Sequence, residues 1–176
     1  WYSDWWPSST SNAGTLTNDG TIVNNYGRTL SNAGTLDNQG SLIGSGEFVQ
    51  SAGSTLNTGT WAQASMDIRG GTFVQRAGSL GNASLSNASM FYASGTVQVD
   101  RFVNGGQLIL GENLTSALTI AGSFEQIGSG MLDTFLTGRQ PGFEYGTLSV
   151  TGGATLAGTL YTALWFSPVA GDRFDI

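Results

Sequence analysis

Along most of the chain, single apolar residues alternate with small polar ones over four to six positions. Thr15-Leu16-Thr17, Ser41-Leu42-Ile43, Thr96-Val97-Gln98-Val99 and Thr147-Leu148-Ser149-Val150 are examples. A period of two predicts short strands with one buried face. Asn-x-Gly and Gly-x-Gly steps separate these stretches and supply the left-handed backbone conformations that tight corners need. The chain is therefore expected to turn a corner every few residues.

The pattern also repeats. Ser11-Asn12-Ala13-Gly14-Thr15-Leu16 returns letter for letter as Ser31-Asn32-Ala33-Gly34-Thr35-Leu36. Leu16 to Ile22 aligns with Leu36 to Leu42, and again with Leu56 to Trp61 after one residue is dropped. A second series interleaves: Gly46 to Ser54, Gly71 to Ser79 and, more loosely, Gly122 to Gly128. Literal repetition predicts a repeat architecture. With two or three short strands per unit of roughly 20–25 residues, it predicts an all-β chain, a right-handed parallel β-helix of about seven or eight coils with equivalent strands stacked at about 4.8 Å. Asn18, Asn38 and Asn57 fall at equivalent corners, where side-chain amides can form ladders along the stack, and the inward apolar positions form columns. An antiparallel sandwich also uses short strands and turns, but the exact repetition favours the solenoid. Leu80 to Met90 repeats every five residues, which reads as a coil with tighter corners.

Composition narrows the chemistry. Gly, Ser, Thr and Asn make up 78 of the 176 residues, only 10% are charged, and aromatics reach 11%. The aromatics and the regular apolar positions argue against a disordered linker. There is no Cys, His or Lys. Disulfides, thiolate nucleophiles, cysteine zinc sites, histidine bases and Schiff-base lysines are thereby excluded. A net charge of -6 repels a phosphate backbone, so nucleic acid is not an expected partner. The longest apolar runs fall far short of the roughly 20 residues of a membrane helix. The chain starts at Trp1 with no basic-then-apolar leader, which suggests a processed or excised chain. Asn82, Asn87 and Asn113 begin glycosylation sequons that matter only in a glycosylating compartment.

The last third carries a family resemblance. Tyr145-Gly146-Thr147-Leu148-Ser149-Val150-Thr151-Gly152-Gly153-Ala154-Thr155-Leu156-Ala157-Gly158-Thr159-Leu160, then Pro168-Val169-Ala170-Gly171-Asp172-Arg173-Phe174, resembles a segment near the end of many bacterial surface β-helices. These include autotransporter-passenger-like proteins and exported proteins bearing sorting signals; the earlier part resembles haemagglutinin-type adhesin repeats in general style. Gly146 stands where the family pattern has Asp. The resemblance implies an exported surface or matrix protein with a right-handed β-helix, extracellular or on the bacterial cell surface, and implies no activity. Three parts are expected: an aromatic arm or cap over residues 1–10, solenoid repeats over 11–144, and coils of the surface-protein type over 145–176.

Carboxylates are sparse. Asp67 and Arg69, two apart on one strand, share a face, as do Asp100 and Glu125 if their coils stack suitably. Surface solubility accounts for them, no calcium-binding nonapeptide is present, and no enzymatic activity, metal or cofactor is expected.

Two non-catalytic readings remain. In the first the protein binds itself. A solenoid leaves unpaired backbone at both ends and must be capped or add another chain. Trp1, Tyr2, Trp5 and Trp6 crowd the start, while Phe174 and Ile176 are expected to leave the final coil open. The aromatic arm either covers its own first coil or docks on the last coil of a neighbour, giving a head-to-tail filament. In the second reading surface polysaccharide stacks on aromatic faces, with Tyr26, Trp61, Tyr92 and Trp165 as candidates. Trp61 aligns with Ile22 and Leu42, which argues for a core position, and the apolar run around Trp165 argues the same.

Overall fold

A computed structural model describes residues 9–176, and every helical or extended element within them is a β-strand. The chain winds as a parallel β-solenoid with three faces to each turn. Thr10–Asn12, Thr15–Asn18 and Thr21–Val23 make the first turn, and Thr29–Asn32, Thr35–Asn38 and Ser41–Ile43 the second. From the third turn on, the third face runs without a break into the first face of the next turn. The resulting bent strands are Thr60–Ile68, Ser79–Asn87, Gly95–Asn104 and Ala117–Gln126. The middle faces stack into one eight-stranded sheet, the first and third faces into one of eleven strands. Strand pairing is parallel, as in Leu16 beside Leu36 or Phe73 beside Phe91, and the register shifts where Gly95–Asn104 meets Ala117–Gln126, between Gln98 and Arg101.

The alternating pattern explains which side faces in. On most strands the apolar residue is buried and its neighbours point out, so Leu30, Leu36, Leu42, Phe48, Trp61, Met66, Phe73, Leu80, Leu85, Phe91, Phe102 and Leu108 merge into one continuous core. Six rings, Phe48, Trp61, Phe73, Phe91, Phe102 and Phe124, pass contacts down the axis. Their centroid spacings run from 4.7 Å for Phe48–Trp61 to 5.7 Å for Phe91–Phe102, mostly edge to face. That geometry places positive ring edges on negative faces and stabilises the stack beyond area burial.

Two positions after the apolar residue, most strands place an inward Asn or Gln, and these amides form the expected ladders. Asn18 Nδ2 donates to Asn38 Oδ1 at 2.6 Å, Asn38 to Asn57 at 2.7 Å, and Asn57 to Gln75 Oε1 at 2.7 Å. The second amide hydrogen of each Asn goes to a backbone carbonyl beyond the next corner: Ser41, Thr60 and Ser79. An Asn amide has two donor hydrogens and a carbonyl, so one residue accepts from the turn before it and donates twice to the turn after it. A second ladder links Asn12 to Asn32, and a third segment links Asn87, Asn104 and Gln126. Corner glycines stack as closely. A Cβ on Gly34 would strike the carbonyl oxygen of Gly14, and one on Gly40 that of Gly20. At these corners backbone packs directly on backbone.

The solenoid departs from the sequence expectation in three ways. The ladder steps of 20, 19, 18 and 17 residues lie at or below the lower end of the expected pitch, and the Asn104–Gln126 step is 22. There are about six regular turns, because the residues saved by fusing the third and first faces are spent in C-terminal excursions over 111–116 and 137–146. Secondly, Gly46 to Ser54 and Gly71 to Ser79 are not equivalent by one coil: Phe48 lies on a first face and Phe73 on a middle face. The unit that repeats there is the strand itself, an apolar residue followed two positions later by Asn or Gln. Thirdly, Leu56 does not follow Leu36 inward. Thr55 pairs with Leu36 and Leu56 with outward Asp37. The five-residue spacing of Leu80 to Met90 is the tightened coil, with Leu80, Asn82, Leu85 and Asn87 all on the inner side of one bent strand.

Truncating a central ladder member leaves donors and acceptors above and below it unpaired. Asn38→Ala is expected to cost about 2–4 kcal/mol in urea unfolding, two or more orphaned groups at roughly 1–3 kcal/mol each. Outward, exposed Thr17→Ala should stay within about 0.5 kcal/mol of the parent.

Candidate functional site

Among the described residues five of the six arginines, all but Arg28, pair with carboxylates on the surface. Arg69 meets Asp67 at 2.6 Å, Arg101 meets Glu125 at 2.5 Å, and Arg76 grips Glu112 with two bonds. The expected shared face of Asp67 and Arg69 is present. Asp100 and Glu125 do not come together: Glu125 turns to Arg101, and Asp100 sits in the bend, where its carbonyl accepts from Ser123 Oγ. Among the described residues no three potential metal ligands cluster.

The expected self-association residues divide. Trp1, Tyr2, Trp5 and Trp6 lie outside the described residues. Phe174 and Ile176 pack against their own molecule. Phe174 meets Tyr145 edge to face at 5.3 Å and Phe166 at 5.8 Å, and Ile176 packs on the core. A clasp holds the segment that carries them. Arg139 binds Asp172 through two 2.8 Å bonds and lies over the Phe166 ring. Glu144 in turn accepts from the backbone N–H of Arg139 and of Gln140. The final coil is thus partly covered, not open as expected. Its edge still shows inward-type residues to solvent: Leu156 is 67% exposed, Leu160 54% and Leu164 53%. A depression of about 230 Å³ lies among Gln126, Leu132, Leu156, Leu160 and Ile176.

The four candidate glycan-contact aromatics have different fates. Trp61 is fully buried between Phe48 and Phe73, which removes it from any surface role. Tyr26 is exposed at the corner between the first two turns, and Tyr92 is half-buried on the outer side of the middle face. Trp165 is exposed rather than core. Leu164 takes the inward alternation, so Trp165 falls on the opposite side and stacks on outward Phe135 at 5.3 Å. On this same outer face Tyr161 was missed in the sequence, and Asp133, one of the sparse carboxylates expected at the surface, is buried. Tyr161 is half exposed, and Asp133, beside Ile109 and Tyr161, is buried and accepts a hydrogen bond from Gln107 Nε2. Burial pushes the Asp133 carboxyl above the usual aspartate range.

One amide ladder fails. At the bend between third and first faces, Asn24 Nδ2 donates to Gln63 Oε1 at 2.7 Å, but Gln63 Nε2 turns back to Ala62 O. Asn82, next in the column, makes no hydrogen bond through either side-chain atom although it is 93% buried, and Val99 follows it. Asn82 lines a shallow depression of about 410 Å³ with Gln63, Gly81, Ala83, Gln98 and Asp100. A second depression of about 450 Å³ adjoins it through Gly81 and Gln98. Of the three sequon asparagines, Asn82 and Asn87 are buried and only Asn113 is exposed.

No protein-family model, curated protein or solved structure matches the chain. Among the described residues no helix is long and apolar enough to cross a membrane.

The Asp172 clasp has a predictable pH response. The bonds from Arg139 and from the Val169 N–H hold the carboxyl below its usual range. A depressed folded pKa stabilises the clasp above the ordinary aspartate range and loses that stabilisation as pH falls through the folded value. Trp165 fluorescence and proteolysis of the 165–176 segment should therefore stay unchanged down to pH values below the normal aspartate titration. Arg139→Gln should move that transition upward into the normal range; an unchanged midpoint would contradict the clasp.

Proposed function

We propose that the protein is a non-catalytic structural solenoid of the bacterial cell exterior, a surface or matrix scaffold that extends by stacking one copy on the next. One observation carries this reading. The strands Ala154–Leu156 and Thr159–Leu164 form the last rung with their pairing edge and apolar residues Leu156, Leu160 and Leu164 in solvent. A strand edge with apolar side chains is a template for another strand.

The first rung has matching chemistry. The middle-face column that ends at Leu160 begins at Leu16, and the column that ends at Thr162 begins at Asn18. Both amide hydrogens of Asn18 are spent on Asn38 and Ser41, which leaves its Oδ1 to accept from the Thr162 hydroxyl of a preceding copy. The resemblance of residues 145–176 to exported surface β-helices supports the extracellular setting. Trp1, Tyr2, Trp5 and Trp6, which precede the first rung in sequence, are apolar anchors of the kind that dominate interfaces.

Sedimentation velocity and negative-stain electron microscopy across a concentration series test this. The parent should form rods that lengthen with concentration, Leu160→Lys should stay short, and removal of residues 1–7 should weaken growth. A parent that remains a single short species at the highest attainable concentration overturns the assembly mechanism.

A further inference from the structure

On the outer middle face one column reads Leu56, Val74, Tyr92, Ile109, Asp133 and Tyr161 from turn to turn. Leu132 beside Asp133 points into the core, so Asp133 points out. A carboxyl thus stands in an otherwise apolar and aromatic row, where stacking asks for no acid. It is nevertheless only 4% exposed.

Its partners set it apart. Asp67, Glu112, Glu125, Asp172 and Asp175 each meet an arginine. Among the described residues Asp133 has no such partner: Gln107 Nε2 donates to its Oδ2, and its Oδ1 is buried without a hydrogen bond. The side chains that share its face are Gln107 and Ile109 on the turn before, Met131 and Phe135 on its own strand, and Thr159, Tyr161 and Ala163 on the turn after. Tyr161 alone of these is titratable. The excursions packed against this strand carry Glu112, Arg139 and Glu144, which are held by Arg76, by Asp172 and by backbone N–H groups. Burial is the main influence on the Asp133 carboxyl and the Gln107 bond the other. A buried carboxylate with no counter-charge and one unbonded oxygen is costly. A carboxylic acid in the same place is not, because its Oδ1 hydroxyl can donate to Gln107 Oε1 while Gln107 Nε2 donates to Oδ2, closing an acid–amide ring.

We propose that Asp133 and Gln107 form a pH-operated latch for the last rung. In acid the ring is closed and Met131–Leu136 holds Thr159–Leu164 tightly; at neutral pH the charge on Asp133 loosens that pairing. Burial strengthens the hold of the folded carboxyl on its proton, so the folded turn keeps a proton that the opened turn has lost. The rung therefore weakens as pH rises from the ordinary aspartate range through the raised folded value, the opposite sense to the Asp172 clasp. Because the same rung carries the stacking edge, the latch also favours extension in acid, a consequence that rests on the stacking reading.

Carbon-detected NMR titration of the parent reads the Asp133 carboxyl directly, and hydrogen exchange reads the rung. The carboxyl midpoint should lie above the ordinary aspartate range. Protection factors of the 159–164 amides, referred to those of Met90–Ala93, should fall by roughly tenfold for each unit of that elevation between about pH 4 and about pH 7. Asp133→Asn, which has no proton to lose, should hold protection constant over that range and above the parent's at neutral pH. A midpoint in the ordinary range overturns the latch, as does the same pH-dependent loss of protection in Asp133→Asn. The parent titration decides alone if that variant fails to fold. Sedimentation of the parent at about pH 5 and about pH 7 separates the two readings. A single short species at both values overturns stacking while the midpoint still decides the latch, and rods of equal length at both, with an ordinary midpoint, overturn the latch and leave stacking in place.

Discussion

Everything in this molecule depends on parallel strands stacking in register, turn on turn, with so little sideways freedom that the same chemistry must recur at each level. Parallel pairing satisfies the backbone along the axis but leaves each corner with carbonyls that point nowhere. The inward Asn amides resolve both problems together. One hydrogen of Asn38 reaches Asn57 and the other closes on Thr60 O, so the side chain that fixes the corner also fixes its register with the next turn. A slip by one residue would turn every buried Leu and Phe outward and break each amide contact at once. The apolar columns give the driving force, and the ladders give uniqueness.

From that constraint the rest follows. Glycines at stacked corners such as 34, 40, 53 and 59 are required because backbone oxygens of the preceding turn occupy the space of a Cβ. Aromatic rings gather in the middle of the stack, where the amide column from Asn18 to Gln75 gives way to Ala93 and Leu110 while Asn87, Asn104 and Gln126 continue another. The strands there are longer and bent, which shortens the turn and tightens the pitch. Toward the C-terminal end the regularity relaxes into excursions held by specific pairs, Arg139 with Asp172 and Glu144 with two backbone N–H groups.

Much of this was legible in the sequence because a solenoid writes its geometry as repetition. The ladder Asn18, Asn38 and Asn57 and the alignment of Trp61 with Leu42 were visible as matched letters. Where reading by letters failed, the cause was that similar strands serve on different faces: Phe48-Val49-Gln50 and Phe73-Val74-Gln75 look equivalent, yet sit on different sides of the triangle. Trp165 was misplaced because an apolar run gives no alternation to say which residue turns in. The break in the ladder at Asn82 left only a faint signal, an Asn in a ladder position followed one turn later by Val99. Its missing hydrogen bonds depend on how Gln63 folds back, which no spacing encodes.

The ladder claim is tested most directly by hydrogen exchange of the side-chain amides of Asn18, Asn38 and Asn57, resolved by NMR. Both hydrogens of Asn38 and Asn57 should be protected to nearly the level of the flanking strand amides, and released only with cooperative unfolding. Exchange at the rate of a free asparagine amide, with the backbone still protected, would show that the turns are stacked without the ladders and would contradict the account.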